Sequence, residues 1–374
     1  MKKKIIVFIT GTRADYGKLK TLINRVEKSQ SFESYIFVTG MHTLSKYGYT
    51  LREIEKNKHK NVFVYMNQTS ITDMDTILAN TIIGFGNFVK EVKPDMIVVH
   101  GDRVEALAGA IVGSLNNILV SHIEGGELSG TIDGVLRHTI SKLSHVHFVC
   151  NESARKVLIQ LGENKKNIFI IGSPDIDIMY SESLPSMPKV RSRYYIDFDR
   201  YSILIFHPVT TELKDLKEQI NNILECILES NRNFIIIYPN NDAGSNIIID
   251  RYNQIKSKRI KIFKSLRFEY FLTLLKNSDF IMGNSSSGIR ESEIYGIPSI
   301  NIGSRQLNRT DSKNIINTDY TKKGITNAID KVSAMHIDPI SNFGIGKSND
   351  LFFKIICNEE TWNINKQKYF NTSE

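Results

Sequence analysis

MIVVHGDRVEALAGAIVGSLNNILVSHIEGGE, residues 96–127, is the stretch on which the fold turns. Its two apolar runs, 96–100 and 117–123, lack the in–out alternation of a half-exposed strand. Continuous Ile and Val runs of that length predict strands buried on both faces, as in a parallel sheet. VEALAGAIVGSL between them has helix length, and strand–helix alternation predicts a doubly wound α/β sheet.

The same alternation extends outward through IIVFI at 5–9, YIFVT at 35–39, HVHFVC at 145–150 and NIFIIG at 167–172. Residues 180–200 break it with Ser, two Pro and no long apolar run, which predicts a linker and a lead-in helix. It restarts with SILIFH at 202–207, NFIIIYPN at 233–240, KIFK at 261–264, DFIMGNSS at 279–286 and PSINIGS at 298–304. The expectation is two α/β domains, 1–178 and 179–374, with a last helix able to cross back to the first.

Composition narrows the function. The 374 residues carry a formal net charge of +8, spread in short Lys pairs and triples instead of one block. That pattern reads as solvated faces and argues against a nucleic-acid partner. Three widely spaced cysteines, Cys150, Cys226 and Cys357, form neither a disulfide framework nor a zinc pattern, and fit a reducing cytoplasm. The N-terminal KKKIIVFIT has too short an apolar run for a signal peptide, and no stretch approaches the ~20 apolar residues of a membrane span.

In open α/β sheets ligands bind beyond the carboxyl ends of the strands. Polar and Gly-rich segments fall at those ends. They predict one cleft between two facing sheets. Asp102, Glu124, Glu127 and Asp133 form an acidic cluster there, and carboxylates brought together can separate into a base and an acid. Asp102 alone is equally well read as the N-cap of the following helix. His122, Arg137 and His138 lie beside these acids, and Arg13 and Asp15 in the first strand-to-helix loop are candidate phosphate contacts. That loop lacks the GxGxxG spacing, so no nicotinamide cofactor is expected; His145 and His147 share a strand face without enough partners for a metal.

In the second half, His207 ends a strand where it can donate to a phosphate or act as a general acid, and Asn240 and Asp242 end the next. GNSSSG, 283–288, running into IRESEIYG, predicts a helix N-terminus with Ser285 and Ser286 at a diphosphate. Glu291 is placed to accept ribose hydroxyls, and Arg290 and Arg305 to reach phosphates.

Taken together, TGTRADY at 10–16, KPDMIVVHGDR at 93–103, HIEGGELSGTID at 122–133, LRHTISKLSH at 136–145, HPVTT at 207–211, PNNDAG at 239–244, GNSSSG and INIGSRQ at 300–306 resemble the hydrolysing UDP-N-acetylglucosamine 2-epimerases of sialic acid synthesis. Arg103 after Asp102, and Glu127 after Gly125 and Gly126, separate this group from the non-hydrolysing relatives; Gly134 departs from a second acid common in the family. The resemblance implies a GT-B-like fold, a UDP-linked 2-acetamido sugar as substrate, and a homodimer or dimer of dimers. It implies anti elimination of UDP to 2-acetamidoglucal, then syn hydration. Asp102, Glu124 and Asp133 are then the acid, base and water-positioning candidates, and His207 protonates the leaving group or contacts phosphate. Arg103, His122, Glu127, Arg137 and His138 are expected to bind the substrate. The diacetylbacillosamine nucleotide of the legionaminic acid route is the alternative substrate, and a GT-B glycosyltransferase the alternative class. Since no metal enters this reading, turnover of the UDP-sugar, followed as UDP release, is expected to persist in excess EDTA.

Overall fold

The computed structural model describes residues 3–69, 72–129, 131–181, 184–306, 313–332, 335 and 337–369. The chain divides into two compact units. One comprises Met1–Leu128, Asp133–Ser181 and Phe343–Glu374, the other Ser129–Ile132 and Glu182–Asn342. The division falls at 181/182, against 178/179 from the sequence, and the segment from Phe343 packs with the first unit.

The first unit is built on seven strands: β1 (Lys4–Thr10), β2 (Phe32–Val38), β3 (Val62–Val64), β4 (Met96–His100), β5 (Leu119–Ile123), β6 (Val146–Val149) and β7 (Ile168–Ile170). They lie in the order β3-β2-β1-β4-β5-β6-β7, every pair parallel. Both faces are covered. Ile6, Phe8, Met96 and Val98 join the core on one face, while Val7, Ile9, Ile97 and Val99 join the core on the other. This is why the runs read as unbroken apolar sequence. β3 was not anticipated; it is three residues long, exposed at the sheet edge, and too short for a periodic signal.

The second unit repeats the plan with β8 (Ser202–Ile205), β9 (Phe234–Ile237), β10 (Ile260–Phe263), β11 (Ile281–Gly283), β12 (Ser299–Ile302) and β13 (Ile315–Thr318). The order is β10-β9-β8-β11-β12-β13, again all parallel. The lead-in helix is Met187–Tyr194, with Pro188 in its first turn, where a missing N–H costs nothing. The helix expected after GNSSSG is cut short. It consists of a 3₁₀ turn at Ser286–Gly288 and a single α turn at Glu291–Ile294. A run this short, with Gly288 at its start and Gly296 and Pro298 beyond it, gives little aligned dipole for an anion.

In each sheet the strand order reverses beside its first strand, at β1/β4 and at β8/β11. These are the switch points where open α/β sheets take ligands. Among the described residues no helix is long and apolar enough to cross a membrane.

The returning segment is anchored by Phe352, which is fully buried with its ring centroid 4.8 Å from Phe148 and 6.4 Å from Phe8. Phe352→Ala is expected to cost about 3–5 kcal/mol, read as a lower urea midpoint of the first unit.

Candidate active site

The first unit gathers charge at its switch point. Thr12 caps the helix Arg13–Glu27, its hydroxyl accepting from Asp15 N at 3.1 Å. Asp15 Oδ2 accepts from Gly11 N at 3.0 Å, and Oδ1 lies 2.8 Å from His100 Nδ1. The other ring nitrogen of His100 lies 3.2 Å from Glu124 Oε2. Glu124 follows β5 in the left-handed region at φ 66°, a strained position for a side chain other than glycine, and accepts a short hydrogen bond from Ser173. Lys18 Nζ sits 3.6 Å from Glu124 and 3.2 Å from the buried Asp175.

Burial alone would strip His100 of its extra proton, but Glu124 and Asp15 outweigh it and push the pKa up to about 9. His100 is therefore a cation at neutral pH, clamped between two carboxylates. The sequence reading passed over it as the last residue of a strand, although it opens the HGDR motif.

The four acids expected to cluster are arranged around a cation. Arg137, on the helix Ile132–Leu143, is 3 % exposed and pairs through Nη2 with Asp102. Its Nη1 donates to the Glu127 carbonyl at 3.1 Å. Burial disfavours its charge, yet Asp102, Glu127, Asp133 and Glu124 together hold its pKa above the ordinary arginine value. Glu127 Oε1 accepts from the buried Cys150 thiol at 3.1 Å. Gly126 sits at φ 81°, where a Cβ would lie 2.2 Å from the Ala154 carbonyl, so the Gly-rich spacing answers to a steric demand. Asp102 is not a helix cap. The N-cap is Arg103, without a side-chain capping bond, and the Asp102 carboxylate goes to Arg137 instead. Its side chain is 26 % exposed, against 12 % for Asp15, 5 % for Glu124 and 1 % for Asp175.

Four residues expected to bind substrate, His122, Arg103, Arg13 and His138, have these surroundings in the structure. His122 is fully buried in the sheet, with Nε2 2.8 Å from the Gly101 carbonyl and Nδ1 2.9 Å from Ser141 Oγ. Burial drives its pKa down to about 3, so it is a neutral brace under the 101–102 turn and not a surface that a sugar touches. Arg103 turns to Glu105 at 3.3 Å, and Arg13 lies 3.8 Å from Glu53. His138 is half-buried, its pKa lowered by burial and then by Arg137.

At the second switch point His207 is 6 % exposed. Asn240 contributes its main-chain N–H to His207 Nδ1 at 3.0 Å. Arg305 Nη1 donates to the Asn284 carbonyl at 3.2 Å, joined by Gln306 Nε2 at 3.0 Å. Ser285 and Ser286 are half-buried, Ser285 as the cap of the 3₁₀ turn with its Oγ accepting from Ser287 N at 3.3 Å. Glu291 is 1 % exposed and accepts from Ser287 Oγ at 3.4 Å. Asp242 is half-buried, its carbonyl taking Ser245 N at 3.0 Å. The sequence reading missed Asn284, Gln306 and Glu212, the last of which accepts from Ser304 at 2.6 Å and Tyr320 at 2.7 Å. For Asn284 a signal was present, its place between Gly283 and Ser285.

Two doubly wound parallel sheets, each with polar side chains at its switch point, make the fold GT-B-like. The family model described as UDP-N-acetylglucosamine 2-epimerase matches residues 24–357, and the chain belongs to that family. It is 46 % identical over 371 residues to the UDP-N-acetylglucosamine 2-epimerase of Neisseria meningitidis serogroup B, covering 98 % of both chains. It is 34 % identical over 357 residues to the UDP-N,N'-diacetylbacillosamine 2-epimerase (hydrolyzing) of Legionella pneumophila, covering 94 % of this chain and 95 % of that one. Its fold is shared with the Methanocaldococcus jannaschii UDP-GlcNAc 2-epimerase crystallised with UDP-GlcNAc and UDP. The TM-score is 0.78 at 22 % identity, over 95 % of this chain and 99 % of that one.

The histidines set a pH dependence. The folded pKa of His100 is raised above its ordinary 6.5, so its stabilisation is complete below about 6.5 and is lost as pH rises through about 9. Burial holds His122 near 3 and His42 near 4, so their stabilisation is present above about 6.5 and is lost as pH falls through those values. Urea midpoints measured across this range are expected to peak near neutrality, with His100→Asn flattening the alkaline limb and His122→Asn the acid limb.

Proposed function

We propose that the chain is a hydrolysing 2-epimerase, converting UDP-N-acetylglucosamine and water to N-acetylmannosamine and UDP. The observation that carries this reading is Asp102. Its side chain is more exposed than those of Asp15, Glu124 and Asp175, and it is held by the buried Arg137, whose charge is also supported by Glu127, Asp133 and Glu124. The C2 hydrogen of the sugar is not acidic, so the C1–O bond to the diphosphate must loosen before a carboxylate can remove it. Elimination breaks C1–O and C2–H and forms the C1=C2 double bond, the proton passing to a base. Hydration returns a proton to C2 and puts the water hydroxyl on C1, with the opposite configuration at C2. Such a reaction needs a base and a proton donor in one water-poor site. Asp102 is assigned as the base that meets C2, with Glu124 and Asp133 in the remaining acid/base and water-positioning roles. UDP is assigned to the second unit, its diphosphate to His207, Ser285, Ser286 and Arg305, and its ribose to Glu291.

Arg103 and Glu127 support the hydrolysing branch, since both stand where the sequence reading separates it from the non-hydrolysing one. A relative described as hydrolysing is 34 % identical nearly end to end. Its substrate, the diacetylbacillosamine nucleotide, is the second reading; the 46 % identity to an enzyme named for the N-acetylglucosamine nucleotide ranks the latter first.

Incubation with UDP-N-acetylglucosamine in deuterated water, followed by proton NMR, is expected to release UDP and free N-acetylmannosamine deuterated at C2. UDP-N-acetylmannosamine as the product would defeat the hydrolysing reading. Turnover of the diacetylbacillosamine nucleotide alone would select the second one. Asp102→Asn is expected to lower kcat by about 10²–10⁴-fold while UDP binding, measured by calorimetry, persists.

A further inference from the structure

Gly283 and Asn284 close the second switch point, at the ends of β8 and β11. Ile205 pairs with Gly283 at the end of the β8/β11 ladder, and Asn284 N donates to the Ile205 carbonyl at 3.1 Å. The two backbones approach so closely here that a Cβ on Gly283, at φ 123°, would lie 2.0 Å from the Ile205 oxygen. The regular ladder stops at this point, and the Asn284 side chain continues it. Its Oδ1 accepts from His207 N at 2.7 Å, and its Nδ2 donates to the His207 carbonyl at 2.8 Å. One buried carboxamide thus supplies both hydrogen bonds that a neighbouring peptide would have made.

The ring of His207 is fixed by a second group. The main-chain N–H of Asn240 donates to Nδ1 at 3.0 Å. An N–H donor can meet only an unprotonated ring nitrogen, so the neutral ring carries its proton on Nε2. Both main-chain polar groups and one ring nitrogen of His207 are therefore held by partners outside its own strand.

We propose that Asn284 is a positioning residue for the reaction, holding His207 so that the imidazole presents an Nε2 proton to the diphosphate. The inference rests on the reading that His207 meets the leaving group. The roles of Asn284 are divided between its two parts. The side chain holds His207, while the main-chain carbonyl receives Arg305 and Gln306 at 3.2 and 3.0 Å. A side-chain substitution therefore disturbs the histidine and leaves the Arg305 anchor in place.

Asn284→Asp makes the sharpest variant. It keeps the shape and the acceptor for His207 N–H, but sets an oxygen against the His207 carbonyl where the amide donated. It is expected to lower kcat by about a hundredfold, the scale of an ångström-sized misplacement of a reacting group. KM for the UDP-sugar should stay within about threefold, because the anchor for Arg305 is main chain. In protein carrying ¹⁵N-histidine, with the resonance assigned by its loss in His207→Asn, wild type is expected to show the Nε2–H tautomer and Asn284→Asp a mixture. A proton on Nδ1 in wild type would overturn the proposal; if Asn284→Asp is insoluble, Asn284→Ser is read by the same kcat and KM. Wild-type kcat in Asn284→Asp would also overturn it, as would a hundredfold rise in KM with kcat unchanged, which would make Asn284 a ground-state binding residue. Full turnover in His207→Asn would overturn the leaving-group role of His207 and this inference with it, whereas UDP-N-acetylmannosamine as product would defeat the hydrolysing reading alone.

Discussion

The chemistry of the first unit depends on a buried guanidinium. Arg137 is almost wholly removed from water, and an unpaired charge in that place would be prohibitive. It is tolerable because its planar fork reaches the Asp102 carboxylate with one arm and the Glu127 carbonyl with the other, with further acids nearby. The cation in turn offsets the repulsion among the acids gathered at the carboxyl ends of β4 and β5, where His100 and Lys18 also meet Glu124. A lysine could offer the charge but not the two directed arms, so the site is specific for arginine geometry as well as arginine charge.

Both units use one structural idea at the carboxyl ends of neighbouring strands. Where adjacent strands diverge, main-chain groups lose their ladder partners and a side chain replaces them. In the first unit His122 takes the Gly101 carbonyl, and in the second Asn284 takes both polar groups of His207. These polar side chains serve the backbone first, and that service fixes where the neighbouring reactive groups stand.

Much of the architecture was legible because buried parallel strands announce themselves as unbroken Ile and Val runs, and eleven of those runs correspond to strands. β3 and β13 were not, because a short edge strand and the polar IINT carry no apolar periodicity. The acids and Arg137 were legible as residues near one another. Their arrangement was not, since which carboxylate faces which cation depends on side-chain directions that spacing does not encode. His122 misled for the same reason. A histidine inside a catalytic-looking motif can be the brace beneath it, and only burial tells the two apart. The helix expected after GNSSSG failed because Gly and Pro end it within a turn, an argument that composition could have supplied.

The return of Phe343–Glu374 to the first unit has a consequence for how the molecule is made. The core of that unit contains Phe352 and Ile356 beside Phe8 and Val98, residues separated by most of the chain. During synthesis this core stays incomplete until the later segment has left the ribosome. The second unit, nearly contiguous from 182 to 342, has all of its strands available earlier. The usual order of birth is thus inverted. The middle of the chain can reach its native packing first, while the half that begins the sequence must wait, with part of its apolar interior open, for its closing helix to arrive.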